Sequence, residues 1–150
     1  MGFFDKIRKG KLFFGKEEPS TVVEFIFGQQ RYIVEKFDIE FRQDVNSGNR
    51  PDSETYGGLV TVTFSDMPDE YINRWIMNSF EKRNGEFRFL LNDKKIMEGA
   101  VLHLIFKDAY CVNYQKVMDT SGAGVSTTLI ISPRYIKIGN EEFENRWRDR

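Results

Sequence analysis

The chain has 150 residues, 40% hydrophobic and 15% aromatic, with 22 basic side chains, 23 acidic ones and one histidine. This is one domain's worth of chain with enough apolar side chains for a core, not a disordered tract. A net charge of −1 gives no electrostatic basis for binding nucleic acid or an anionic membrane, and a single cysteine excludes an intrachain disulfide and a cysteine-based metal cluster.

Residues 1–20, M-G-F-F-D-K-I-R-K-G-K-L-F-F-G-K-E-E-P-S, differ from the rest of the chain. Through Lys16 there are five basic residues against one acidic one, with Phe3-Phe4 and Phe13-Phe14 between them. Phe3, Phe4 and Ile7 would share one helical turn, but Gly10 and Gly15 oppose a long helix. Three readings stand: a flexible tail, an arm that docks its phenylalanines on a neighbouring subunit, or a membrane-surface segment. The last lacks a sustained amphipathic pattern, so no stable membrane insertion is expected. The segment is read as an extension, 1–20, on a folded domain spanning 21–150. The chain has no apolar run of the roughly 18 residues needed to cross a bilayer and no signal-peptide h-region. If the protein leaves the cell, a dedicated route is expected.

From Thr21 the pattern becomes β. Val23, Phe25 and Phe27 alternate, Gly28 marks a turn, and a second strand begins near Arg31. In it Phe37, Ile39 and Phe41 alternate with Asp38, Glu40 and Arg42, one face apolar and the other wet. Asp44–Tyr56 is rich in Asn, Ser, Gly, Pro and Asp and is expected to project as a long polar loop, a kind of segment that often carries function. The following strand places Val60, Val62 and Phe64 on one face.

Ser65–Ser79 is the one convincing helix, with Pro68 in its first turn and Ser65 or Asp66 as the expected cap. Asp69 and Glu70 suit its positive dipole end, and Tyr71, Ile72, Trp75 and Ile76 share the face that would lie on a sheet. After the Asn84-Gly85 turn, Phe87, Phe89 and Leu91 alternate, Asn92–Lys95 turns again, and Ala100–Phe106 resumes a strand. Tyr110, Val112 and Tyr114 are expected on one face, Thr128–Ile131 as a core strand, and Ile136 and Ile138 on a further one. The fold class is therefore mainly β: an antiparallel barrel of about eight strands with one helix packed on it.

Few residues suggest chemistry. His103 stands alone in V-L-H-L-I-F with no orienting motif and reads as wall or interface rather than general base. Cys111, between Tyr110 and Val112, reads as a packed thiol. No G-x-S-x-G elbow is present, one histidine and one cysteine are too few for a zinc site, and Gly122-Ala123-Gly124 lacks the lysine and helix of a phosphate loop. Asp69-Glu70 and Glu141-Glu142 read as a helix start and a solvated turn, and Trp147 as an anchor for the tail. No catalytic residue, cofactor or metal is assigned.

The stretch from Phe106 to Trp147 says more. Lys107-Asp108-Ala109-Tyr110-Cys111-Val112 with Tyr114, then Asp119 and Gly122, then Thr127-Thr128-Leu129, Ile131-Ser132, Arg134, Ile136, Ile138-Gly139, Asn145 and Trp147, stand in an order and spacing that resemble the haemolysin-coregulated tube proteins (Hcp) of bacterial type VI secretion, in a divergent branch. Upstream, Gly48, Arg50, Pro51, Ser53, Gly57 and Gly58 resemble the same family's loop, with Asn49 and Asp52 interrupting the usual run. The extension at 1–20 departs from the family pattern, in which the chain starts close to the first strand. The resemblance implies a non-enzymatic subunit that forms rings, most simply hexamers, stacking into a tube that a contractile sheath expels. Implied partners are further copies of the chain and the sheath, spike and effector proteins, with effectors in the lumen. It also implies assembly in the bacterial cytoplasm followed by secretion. A specialised paralogue that carries an effector or starts the tube is the alternative within that class, and a monomeric ligand-binding barrel the alternative outside it. Within the Asp44–Tyr56 loop, Asn46, Arg50, Asp52 and Glu54 are the candidate ring-stacking residues.

Overall fold

A computed structural model describes residues 21–91, 100–122 and 124–147. The extension read over 1–20 and the turn read over Asn92–Lys95 lie outside them. The described residues form β1 (Thr21–Phe27), β2 (Gln30–Arg42), β3 (Tyr56–Phe64), α1 (Glu70–Met77), β4 (Arg83–Leu91), β5 (Ala100–Asp119), β6 (Gly124–Ile138) and β7 (Glu141–Glu144). All strand pairs are antiparallel, in the order β3-β2-β1-β4-β5-β6-β7. A further pairing of β3 with β6, from Val60↔Ile131 to Phe64↔Thr127, closes six of the strands into a ring. The result is the expected barrel. Two pairs of segments that read as separate strands are each continuous, and Glu141-Glu142, read as a solvated turn, opens the short strand β7 paired with the end of β6.

Inward side chains fill the ring. Phe25, Phe87 and Phe106 are fully buried, and Phe25 lies 4.8 Å from Phe87 and 5.3 Å from Phe27, ring centre to ring centre. Val60, Val62, Leu129 and Ile131 supply the opposite wall, all at 0% exposure. The alternation is broken where the barrel bends. Tyr110, Val112 and Tyr114 do not share a face: β5 carries two irregularities, and the second falls among them. One lies at Asp108, whose φ is +50°, opposite the shift between Arg83 and Gly85. The other lies between Cys111 and Asn113. Each extra residue flips the phase of the strand, so Phe106, Ala109, Cys111 and Tyr114 face the core while Val112 is exposed. Pro133 is tolerated within β6 because it lies after the last β3 partner, Ile131, and before the first β7 partner, Tyr135.

Helix α1 closes one end of the ring. Its cap is Asp69, whose carboxylate accepts the Ile72 amide at 3.2 Å. Asp66, expected as a cap, instead accepts the Ile33 amide of β2 at 3.1 Å, which displaces the helix start past Pro68. Trp75 is buried, 4.5 Å from Phe27, and its indole N–H donates to the carbonyls of Ala109 and Glu81. The buried Tyr32 hydroxyl accepts the Asp69 amide, and burial holds that phenol up at about 12, hence neutral. Arg83 donates to the Tyr71 carbonyl and lies 3.9 Å over its ring.

The two ends of the ring therefore differ. At the helix end, β5 and β6 run on past the Phe64↔Thr127 pair as a two-stranded hairpin to Asp119↔Gly124. At the opposite end the chain enters at Thr21, beside Leu91, and the Asp44–Tyr56 connection joins β2 to β3.

Gly85 shows how little spare volume the interior holds. A Cβ there would stand 2.4 Å from Cζ of Phe106 and 3.0 Å from Cδ1 of Phe27. Gly85→Ala should destabilise the fold by about 1–3 kcal/mol, the usual cost of overpacking a core, read as a lower denaturation midpoint with an unchanged slope.

Candidate functional site

The Asp44–Tyr56 segment is a folded loop and not a structureless one. Val45 bridges Pro51, the Asn46 amide donates to the Arg50 carbonyl at 2.9 Å, and the Asp52 amide to that of Asp44 at 2.9 Å. Asn46 organises its tip: its side-chain oxygen accepts the amides of Gly48 and Arg50 at 2.9 and 3.1 Å. Asn49 takes φ +64°, a conformation asparagine adopts readily. At the base, Ser53 accepts the Asp44 amide at 2.8 Å, and the Tyr56 hydroxyl donates to the Asp44 carboxylate at 2.9 Å.

The four candidate residues thus have unequal positions. Asn46 is committed to the turn. Glu54 is paired with Arg146 at 3.3 Å, both side chains being more than two-thirds exposed, a contact of small energetic weight. Arg50 and Asp52 are exposed, and among the described residues neither side chain has a partner. These two are the groups the loop offers outward.

At the same end of the barrel Asn145 is a clamp. Its side-chain nitrogen donates to the carbonyls of Gly57 and Pro133 at 2.7 and 3.0 Å, and its own amide to the Arg134 carbonyl at 2.8 Å. It ties the start of β3 to β6 where their ladder has ended. Beyond it Trp147 lies 5.2 Å from the Tyr110 ring, the anchor the residue pattern suggested.

The wall of the barrel is divided by charge. Outward positions on β1, β2 and β4 carry Glu24, Arg31, Asp38, Glu40, Glu86 and Arg88. Where β3 pairs with β6 they carry Leu59, Thr61, Thr63, Thr128 and Ile130, none ionisable, while Arg134 and Lys137 lie further along β6. Thr63 and Thr128 hydrogen-bond across the seam at 2.9 Å.

His103 sits on the charged wall, hydrogen-bonded through Nδ1 to Glu86, which also takes Arg88 at 3.4 Å. Partial burial pushes the Glu86 carboxyl up, but the His103 and Arg88 hydrogen bonds outweigh it and the net shift is downward. Burial pushes the Cys111 thiol up to about 11, and it donates to the Asn113 carbonyl, so at neutral pH it is a packed thiol and not a nucleophile. Among the described residues no group of three or more metal-binding side chains converges, and no helix is long and apolar enough to cross a membrane.

A cleft that residue pattern did not reveal lies at the helix end. Glu35, Ser65, Met67, Val117, Asp119, Gly124, Val125 and Ser126 line about 630 Å³. Its residues come from three separate segments, so no single stretch of sequence marks it.

Asn145→Ala should lower stability by about 1–3 kcal/mol in chemical denaturation, since buried carbonyls lose their donor, and Asn145→Asp should not restore it. Cys111 should react with iodoacetamide about 100-fold more slowly than an unhindered thiol, because so little thiolate is present. Glu86 stabilises the fold fully above its unfolded value and loses that contribution as pH falls through its lower folded value. Glu86→Gln should therefore flatten the acid limb of the stability curve by about 1 kcal/mol or less.

Solved structures share this architecture. Hcp1 from Flavobacterium johnsoniae is 25% identical, with a TM-score of 0.71 over 83% of this chain and 99% of that one. Hcp1 from the E. coli EAEC 042 pathovar is 9% identical, with a TM-score of 0.63 over 87% and 100%. A sheath/tube terminator structure of an extracellular contractile injection system is 10% identical, with a TM-score of 0.52 over 85% and 98%; the last two speak for the fold alone. No curated protein sequence matches the chain. The family profile described as haemolysin coregulated protein Hcp (TssD) matches residues 19–148, and the chain belongs to that family, the tube proteins of type VI secretion.

Proposed function

We propose that this protein builds the inner tube of a type VI secretion machine: rings of six subunits stack into a hollow tube that a contractile sheath expels, with effectors carried in the lumen. The observation that carries this reading is the family match over 19–148 on a barrel whose interior is solid. A ring of strands filled by Phe25, Phe87 and Phe106 has no room for a ligand, which disfavours a monomeric ligand-binding barrel. The work of such a subunit is done by its outer surfaces, and a heterologous contact that closes by rotation gives a ring. The uncharged seam where β3 meets β6 offers cargo a surface of hydroxyl and aliphatic groups. The protein is not an enzyme on this reading, with His103 held to Glu86 and Cys111 to the Asn113 carbonyl.

The loop at the entry end stacks one ring on the next, with Arg50 and Asp52 making the contact, Glu54 at its edge and Asn46 holding its shape. A specialised paralogue is supported by one feature: residues 1–18 precede the family match.

Native mass spectrometry and negative-stain microscopy test the proposal. Closed rings are expected, and a strictly monomeric protein at tens of micromolar, about the range where a specific interface associates, would sink it. Arg50→Glu and Asp52→Lys, made separately, should leave ring mass unchanged while shortening tubes. Tubes of full length from both variants would remove the stacking role from this loop.

A further inference from the structure

We infer that residues 1–20 of one copy dock in the helix-end cleft of a second copy stacked above it. This rests on the tube reading and names a contact within it. The cleft lies between the end of β3, where Ser65 and Met67 lead towards α1, and the projecting β5–β6 hairpin, with Glu35 of β2 on its rim. Met67 and Val117 are 65% and 51% exposed, and Met118 beside them 62%. Apolar side chains of this size left bare together mark a contact surface, and methionine adapts its shape to varied partners. The ionisable groups lining the cleft are both acidic, Glu35 and Asp119. Asp119 is fixed by its bonds to the amide and hydroxyl of Ser121. Lys36 and Lys116 are the basic residues adjoining these strands, and neither lines it.

The complement is in this chain. Lys6, Arg8, Lys9, Lys11 and Lys16 are interleaved with Phe3, Phe4, Phe13 and Phe14, so the segment carries positive charge and large apolar rings where the cleft carries negative charge and methionine and valine. Position favours a second copy's cleft over the chain's own. Thr21 enters beside Leu91, at the end of the barrel away from α1, whereas the cleft is at the helix end. To reach its own cleft the segment would have to run back along the whole barrel. A copy stacked end to end brings its cleft to the entry side. Twenty residues span up to about 60 Å when extended, which is ample for that step.

The test uses the full chain with Cys111→Ser, and Phe13→Cys paired with Val117→Cys. Mild oxidation should give products of two or more linked chains on a non-reducing gel. An intrachain link, or no link, would overturn the inference. Removing residues 1–18 should leave the number of subunits per ring unchanged and weaken ring-to-ring association by about tenfold or more. Glu35→Lys with Asp119→Lys should do the same, and adding Lys9→Glu with Lys11→Glu to that pair should recover it. Rings whose association is unaffected by the deletion would overturn the docking and leave the tube reading standing. Absence of rings from the unaltered chain would overturn the tube reading itself.

Discussion

A ring of six strands is narrow, and everything else in this molecule depends on the need to fill it. Phe25 sits at the centre, stacked on Phe27 and Phe87 and tilted against Tyr32 and Phe64. Flat rings in contact exclude water and leave no void, so the interior is a packed core and not a pocket. Gly85 is the concession that packing demands, a position with no Cβ because the Phe106 ring occupies that space. Buried area of this kind stabilises the fold but offers nothing to a substrate.

Function is thereby displaced to the surfaces, and these are not alike. One wall is laced with ion pairs, Glu24 with Arg31 and Glu86 with Arg88 and His103. The other, along the β3–β6 seam, presents threonine, leucine and isoleucine. The two ends differ as well: a self-bonded polar loop and the entering chain at one, a helix and an apolar, acid-rimmed cleft at the other. A heterologous contact between unlike surfaces repeats head to tail, and its geometry decides whether the product is closed or open.

Much of this was legible from residue pattern. The alternation of Val23, Phe25 and Phe27, and of Val60, Val62 and Phe64, located inward faces correctly, and the Tyr71, Ile72, Trp75 stripe placed the helix on the barrel. Strand counting and phase were less legible, because a bulge costs one residue and leaves no compositional mark. Asp108 and the Cys111–Asn113 shift each turned the phase of β5, and the second sends Tyr114 to the core where strict alternation kept it with Tyr110 and Val112. The helix cap was misplaced by local reasoning: Asp66 and Asp69 are equivalent in sequence, and the long-range bond from Ile33 to Asp66 separates them. The clamp made by Asn145 was visible only as one residue in a family-like pattern, since its partners Gly57 and Pro133 lie far from it in sequence or across a turn.

The β3–β6 seam also sets the order of events during synthesis. It joins Val60 to Ile131, and the Asn145 clamp lies later still. Contacts so distant along the chain are slow to form, and here they have no partner until most of the protein has left the ribosome. Until then β3 has an open edge, with its threonines and valines unpaired on the side that β6 will cover. A nascent subunit is thus at its most adhesive before it closes, and a cell making many copies has reason to separate closure from assembly in time.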